Sequence, residues 1–557
     1  MKHPQQQAVQ PGTALEQLYR WERECPDHPY LHQPVDGELR SYSRGEVAGL
    51  ARRLAGSLLA QGFAPGTRIG LLAKNSAEWF IVDLAIQLAG MVSVPIFATA
   101  GPATIRYICD HAELPLIFLG KLDEPAPQLA AIPEHIATVA LPYPDIEARH
   151  SWAEFTAAAP YAESPVPAAE SLATIIYTSG STGDPKGVMH SHHSLCWSAA
   201  MLIRELDFRP EDRALSYLPL AHITERVFVE YASFFCLSQV WFTESLDTFQ
   251  TDIQRCAPTL FLSVPRLWTK FQLAILAQVP QQKLSLLLRI PLLKQRVKHK
   301  IKAGLGLHKL RQAGSGSAPI APALLHWFHK LDIDICEGWG MTENAAYGTS
   351  CYPFCASKIG SIGSSYEGTE LRIADSGEIQ VRGPCLMQGY YLEPEKTAAA
   401  FTADGFLKTG DRGEMDAQGQ VRITGRLKEI FKTAKGKYVA PAPIEAKFMA
   451  NPTIEQVCVT GNNLPQPIAL VVLSEAAQQR QAERVRKELE DQLRAINAGL
   501  ERHQQLDRIL ICPQAWTTEN ELLTPTLKVR RHRLEQALAE QISARYRELI
   551  VILKPIS

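Results

Sequence analysis

Residues Tyr177 to Gly187 read YTSGSTGDPKG, which places three glycines, four serine or threonine hydroxyls and one lysine within eleven positions. Such a loop suits phosphate. Glycines let backbone N–H groups approach an anion closely, hydroxyls add short donors, and Lys186 supplies a mobile positive charge. The spacing is not GxxxxGK[ST], so this is not the usual nucleotide-triphosphatase loop. A flexible Ser/Gly surface turn is the plain alternative. Directly after it, HSHHS at His190 to Ser194 invites a metal reading, but no carboxylate or cysteine accompanies the histidines, and we read the cluster as coincidence. The eleven cysteines show no paired CxxC spacing, and the pair Cys351 and Cys355 lacks the second pair that a structural zinc would need. They read as buried or free thiols.

The elements that must hold the loop are legible in outline. Arg44 to Gly62 has helical apolar spacing and ends on glycine, after which RIGLLA from Arg68 reads as a buried strand. Asn75 with Glu78 reads as a capping box opening a helix through Leu88, followed by the strand MVSVPIF from Met91. A helix near Ala103 to His111 precedes LIFLG at Leu116. This alternation predicts a parallel sheet covered on both faces. LATIIY, from Leu172 to Tyr177, is a strand aimed at the glycine-rich loop, and a helical stretch is expected from near Val188. From Ile454 on, short strands surround a charged helix with apolar positions at Val485, Leu489, Leu493, Ile496 and Leu500. That is a separate small α+β unit, with the join near Gly425 to Lys428. A chain of 557 residues exceeds one core, and three or four structural units are expected.

YTSGSTGDPKGV resembles the signature of the adenylate-forming superfamily, which includes acyl-CoA synthetases, luciferases and peptide-synthetase adenylation domains. SYLPLAHITER from Ser216, GSGSAPI from Gly314, EGWGMTE from Glu337, TGD at Thr409 to Asp411, GRLKEIFKTAKGKYVAPAPIE from Gly425 and LTPTLKVRR from Leu523 follow in the family's order. The resemblance implies an α/β fold. It has a large multi-layered N-terminal domain of mostly parallel sheets (residues 1–425) and a small mobile α+β C-terminal lid (residues 426–557).

It also implies roles. Thr178, Ser179, Gly180, Ser181, Thr182, Gly183 and Lys186 would hold the phosphates of ATP. Lys528 would bridge the carboxylate and α-phosphate oxygens, where a preorganised charge matters most. Glu343 would ligate Mg²⁺ and Thr342 would touch the α-phosphate; a lone carboxylate fits a cation that takes phosphates and waters at its other positions. Trp339, between Gly338 and Gly340, offers a flat face to adenine opposite Gly316, Ser317 and Ala318, although a tryptophan here could equally be core. Asp411 and Arg426 would contact ribose, with a salt bridge between them as the plain alternative. Lys428 is the implied hinge, Gly436 would line a passage for coenzyme A, and His222 would stand at the mouth of an acyl channel.

The loop FKTAKGKYVAPAPIE, the phrase LPLAHITER and the ending TPTLKVRR are most similar to long-chain fatty-acyl-CoA synthetases, which implies a fatty acid, ATP with Mg²⁺, and coenzyme A as reactants. No large insertion follows Lys428 of the kind found in fatty-acyl-AMP ligases, which load a carrier protein; that acceptor, and a catalytically silent acyl- or nucleotide-binding protein, are the rival readings. Lys plus Arg (57) and Asp plus Glu (58) nearly cancel, which excludes a surface built as a whole for nucleic acid. The N-terminus has no apolar core of signal-peptide length, and a cytoplasmic protein is expected. Residues 285–311, with Lys294, Arg296, Lys298, Lys300, Lys302, Lys309 and Arg311 among apolar residues, read either as a solvated helix face or as a peripheral contact with the inner membrane surface. Oligomeric state, acyl chain length and regulation are left open.

Overall fold

The computed structural model describes residues 11–123, 125–178, 184–524 and 526–555. Its organising element is the helix Ala77–Leu88, every residue of which is buried. A helix apolar on all sides belongs between two layers. It packs against the strand Pro29–Val35 of one sheet and the strand Val92–Ile96 of another. Its polar residues are paired inside the core: Asp83 with Arg226 at 3.0 Å, and Glu78 with the hydroxyl of Tyr42 at 2.6 Å.

Among the described residues, one sheet has eight strands, beginning in spatial order at Gly389, Lys186, Leu172, Val92, Arg68, Leu116, Ala137 and His150. The six from Leu172 onward are parallel, as the strand–helix alternation predicts. The other sheet has nine, beginning at Ser364, Thr349, Ile335, Gln312, Leu260, Arg213, Gln239, Pro29 and Glu38, with antiparallel strands at both edges. A four-stranded antiparallel sheet (Glu370–Ile373, Glu378–Arg382, Leu407–Met415, Val421–Arg426) leads to the C-terminal unit.

That unit is a four-stranded sheet with a core on each face. Val485, Leu489, Leu493 and Ile496 of the helix Ala482–Ala498 fill one side, and Trp516, Leu534 and Leu538 fill the other.

Two local expectations are corrected. The helix Ala77–Leu88 is capped by Ser76, whose side chain accepts from Trp79 N. Asn75 instead ties two sheets together, donating to Ser216 Oγ (2.9 Å) and accepting from Leu220 N (3.0 Å). The stretch after the glycine-rich loop is a strand, Lys186–Ser191, antiparallel to Leu172–Thr178; the helix starts only at His192. The described residues on both sides of the loop therefore belong to strands.

Candidate functional site

Thr178, Gly316 and Trp339 stand at the carboxyl ends of parallel strands, where ligands of open α/β sheets bind. Thr178 and Lys186 are partners across the hairpin that carries the loop. Ser179, Gly180, Ser181, Thr182 and Gly183 lie outside the described residues. The Lys186 ammonium stands over the Tyr390 ring, 4.6 Å from its centroid. Burial, with the neighbouring cations Lys428 and Lys396, pulls its pKa below the ordinary lysine value, against Glu393 and Glu343. Lys186 is thus a cation whose charged form is disfavoured until a new anion arrives.

Gly316 and Ser317 follow the strand Gln312–Ser315, with Ser317 in the left-handed region at φ 65° and Ala318 exposed beside it. Gly338 and Trp339 end the next parallel strand, and Gly340 follows. A Cβ on Gly340 would stand 2.6 Å from the Ala346 carbonyl oxygen, so this position is glycine because two backbone segments meet there.

Trp339 is half-buried, and its indole N–H donates to Asp411 Oδ2 at 2.8 Å. The other oxygen of Asp411 pairs with Arg426 Nε at 3.0 Å. Asp411 and Arg426 face each other across adjacent strands, so their salt bridge follows from register. Burial opposes the Arg426 charge, but Asp411, Glu429 and Glu343 raise its pKa above the ordinary arginine value. The salt bridge and a shared ribose role remain compatible, because a carboxylate accepts more bonds than these two.

Thr342 and Glu343 open a short 3₁₀ turn, Thr342–Asn344. His190, set aside above with the HSHHS cluster, and Tyr390, which the sequence did not single out, hold it. His190 donates from Nε2 to the Thr342 carbonyl at 2.6 Å, and the Tyr390 hydroxyl donates to Glu343 Oε1 at 2.9 Å. Burial holds the His190 pKa down at about 4, so the imidazole is neutral at physiological pH. The signal for His190 was a polar residue on the same strand face as the buried Val188. Tyr390 gave no local signal. Among the described residues no group of three metal-ligating side chains forms. Glu343, held by the Tyr390 hydroxyl and acting on Lys186 together with Glu393, offers a single carboxylate donor of the kind that suits a phosphate-borne Mg²⁺.

Lys528 comes from the C-terminal unit. A turn built on Thr524 presents it: Thr524 N donates to Lys528 O at 2.8 Å and Lys528 N donates to Thr524 Oγ1 at 3.1 Å. Arg531 anchors the segment through Glu445 at 2.7 Å. Burial first and Arg426 second depress the Lys528 pKa, while Asp411, Glu429 and Glu343 oppose them. Burial first and the Lys528 charge second hold the His222 pKa down at about 4. Lys528 therefore shares one electrostatic site with Arg426, Asp411, Glu343 and His222. An ion pair between Arg266 and Glu455 also crosses between the two units.

His222 accepts from Thr224 N through Nδ1 at 3.2 Å, so its remaining ring nitrogen carries the proton. Thr224 itself forms part of the wall of a cavity of about 310 Å³, together with Gly316, Ser317, Gly338, Trp339 and Gly340. Phe208, Phe228, Leu260, Leu262, Phe354 and Tyr366 make much of its lining apolar. Lys428 lies between the strands Val421–Arg426 and Phe431–Lys432, close enough to Lys186 to depress it. Gly436 is not brought into this group. It sits at φ 75° in the turn Thr433–Tyr438, whose flanks bond to Leu464 and Asn463 of the C-terminal unit itself.

Comparison with known proteins adds a grouping to this geometry. Residues 18–391 match the AMP-binding enzyme family, and residues 429–549 match the AMP-binding enzyme C-terminal domain. The chain is 30% identical to long-chain-fatty-acid–CoA ligase FadD15 of Mycobacterium tuberculosis, over 95% of this chain and 96% of the relative. It is 29% identical to human long-chain-fatty-acid–CoA ligase 1, over 94% and 83%. Among solved structures, the A domain of carboxylic acid reductase from Segniliparus rugosus, in complex with AMP and a co-purified carboxylic acid, superposes with a TM-score of 0.79 at 21% identity, covering 96% of this chain and 94% of that one. The anthranilate CoA ligase AuaEII, in complex with anthranoyl-AMP, gives 0.79 at 21%, covering 96% and 98%. These two share the fold.

Proposed function

The chain belongs to the AMP-binding enzyme family, and from that premise we propose that it activates a long-chain fatty acid with ATP as an acyl-adenylate and transfers the acyl group to coenzyme A. The observation that carries the reading is the largely apolar cavity whose wall includes Gly316, Trp339 and Thr224, the residue whose N–H donates to His222. An apolar chain fits the cavity, while its carboxylate would meet the cation at the mouth. The names of the relatives supply the acid and the thiol.

In the first step a carboxylate oxygen attacks the α-phosphorus, the bond to the β-phosphate oxygen breaks, and pyrophosphate leaves. Lys528 offsets the negative charge that both reactants bring together, and Lys186 with Thr342 and Thr178 holds the phosphates. Trp339 and the backbone at Gly316 to Ala318 flank adenine; Asp411 and Arg426 take the ribose hydroxyls. Glu343 would hold Mg²⁺, which neutralises phosphate charge when bound. In the second step the thiol sulfur attacks the acyl carbon, AMP departs and the thiol proton passes to solvent. Residues 1–425 and 426–557 act as two bodies hinged at Lys428, and rotation withdraws Lys528 and brings up the Gly436 turn.

The test is AMP and pyrophosphate release from ATP and Mg²⁺ with acids from acetate to oleate and an aryl acid, each with and without coenzyme A. Multiple turnovers with long acids that require coenzyme A support the reading. A single turnover of pyrophosphate regardless of coenzyme A transfers the assignment to a carrier-protein acceptor, and binding of ATP and acid without pyrophosphate release to a silent binding protein.

A further inference from the structure

We infer that the corner between the helices Gln281–Arg289 and Pro291–Gly304 is a docking surface for an anionic phospholipid bilayer. Ile290 links the two helices, closing one and opening the next. Around it Leu292 is 86% exposed and Leu286 61%, with Ile290 and Leu293 also more than a third exposed. Single exposed leucines need no explanation, but four large apolar side chains within eight residues at one corner form a patch. From Pro291 to Arg296 no residue is covered by the rest of the molecule.

The charge around the corner names the partner. Between Asp252 and Asp332 the chain has thirteen lysines and arginines and no acidic residue, although the whole chain has a formal net charge of −1. Four of these cations are engaged elsewhere: Arg255 with Asp252, Arg266 with Glu455, Lys298 with Asp332 at 2.6 Å, and Arg311 with Asp207 and Asp212. Lys298 is therefore buried and does not belong to a solvated face. Arg289, Lys294, Arg296 and Lys300 are exposed and make no ion pair among the described residues. The neighbouring helix Pro322–His329 packs here through Trp327, whose indole N–H donates to Gln281 at 2.8 Å, and the exposed Lys330 follows it.

Apolar residues at the tip and cations behind them match the depth profile of an anionic membrane surface: acyl boundary first, phosphate headgroups next. Nucleic acid would meet the cations but leave the leucines unaccounted for. A second copy would cover the leucines but bring two cationic rings together. No helix among the described residues is long and apolar enough to cross a membrane, so the contact is interfacial. The surface does not depend on which acid the site takes.

The test is flotation of the full chain with vesicles of phosphatidylcholine alone and of phosphatidylcholine with phosphatidylglycerol, without acid or ATP. The wild type is expected to float with the anionic vesicles, weakly with the neutral ones, and less as salt rises. Each headgroup-facing charge contributes about fivefold in partitioning. The double variant Lys294→Glu, Arg296→Glu is thus expected to lose more than about twentyfold. Leu292→Asp is expected to lose about tenfold by removing inserted apolar area. Both should keep the wild-type melting curve and elution volume, since neither side chain is packed. The proposal is overturned if the wild type ignores anionic vesicles, if both variants float as it does, or if Leu292→Asp abolishes self-association while vesicle binding stays unchanged.

Discussion

Replacing Lys528 by alanine isolates the charge that the C-terminal unit delivers to the site. A unit charge about 4 Å from its partner, at the effective dielectric of about 20 suited to such sites, contributes about 4 kcal/mol. The Lys528 side chain keeps contact with solvent although the crowded site partly desolvates its ammonium, so water screens part of this, and about 3 kcal/mol is the better figure. The adenylation half-reaction should then lose between a hundredfold and a thousandfold in kcat/KM. Pyrophosphate exchange into ATP measures that step alone. Conversion of supplied acyl-adenylate and coenzyme A to thioester measures the second step and should change less than about threefold, because Lys528 has no proposed role there. The pH profile adds a check on sign. Burial and Arg426 lower the Lys528 pKa, so in the free wild-type enzyme the cation is lost at a lower pH than an ordinary lysine would lose it. Adenylation should accordingly decline on the alkaline side, and that limb should be missing from Lys528→Ala. Equal losses in both half-reactions, or adenylation reduced less than threefold, would refute the assignment of Lys528 to the first step.

Asp411→Ala strips Trp339 of its acceptor and Arg426 of its buried partner; a rise of about tenfold or more in the KM for ATP is expected, with a lower melting temperature. His190→Leu removes the donor that fixes the Thr342 carbonyl, which should cut kcat about tenfold while barely moving the KM for acid, as steady-state kinetics would show. Glu225 is buried, and burial pushes its carboxyl up to about 8, against the bond from Ser216. With the folded pKa above the unfolded one, its contribution is full below about pH 4 and is lost as pH rises through about 8, by at most about 1.4 kcal/mol per unit. Urea unfolding at pH 6 and pH 9 should show a smaller drop for Glu225→Gln than for wild type. Gly436→Val forces a branched side chain into φ 75°, and should slow thioester formation while leaving pyrophosphate exchange intact.

What the chain revealed before folding depended on how local each signal was. The buried strand before the glycine-rich loop and the apolar stripe Val485, Leu489, Leu493 and Ile496 of the helix Ala482–Ala498 are local, and the structure places them as their patterns require. The error after the loop, a helix expected from Val188, has a local cause too. KGVMHS is short and mostly buried, with only Lys186 and Met189 partly exposed, so it carries no clear period of its own, and a glycine-rich phosphate loop more often precedes a helix. His190 was discounted for a related reason: three nearby histidines suggested a metal, and without acidic partners the idea lapsed. The strand places His190 on the inner face, where a polar side chain needs a partner, and Thr342 supplies it from a segment 152 residues away. Lys528 and Asp411 had no local signal at all. Their meeting depends on the C-terminal unit resting where Arg266 pairs with Glu455, and only resemblance could anticipate that. The cationic stretch shows the opposite limit. Its composition was plain in the sequence, yet composition alone could not tell that Lys298 turns inward to Asp332 while Leu292 turns out, and the division between a solvated face and a membrane contact lies in that difference.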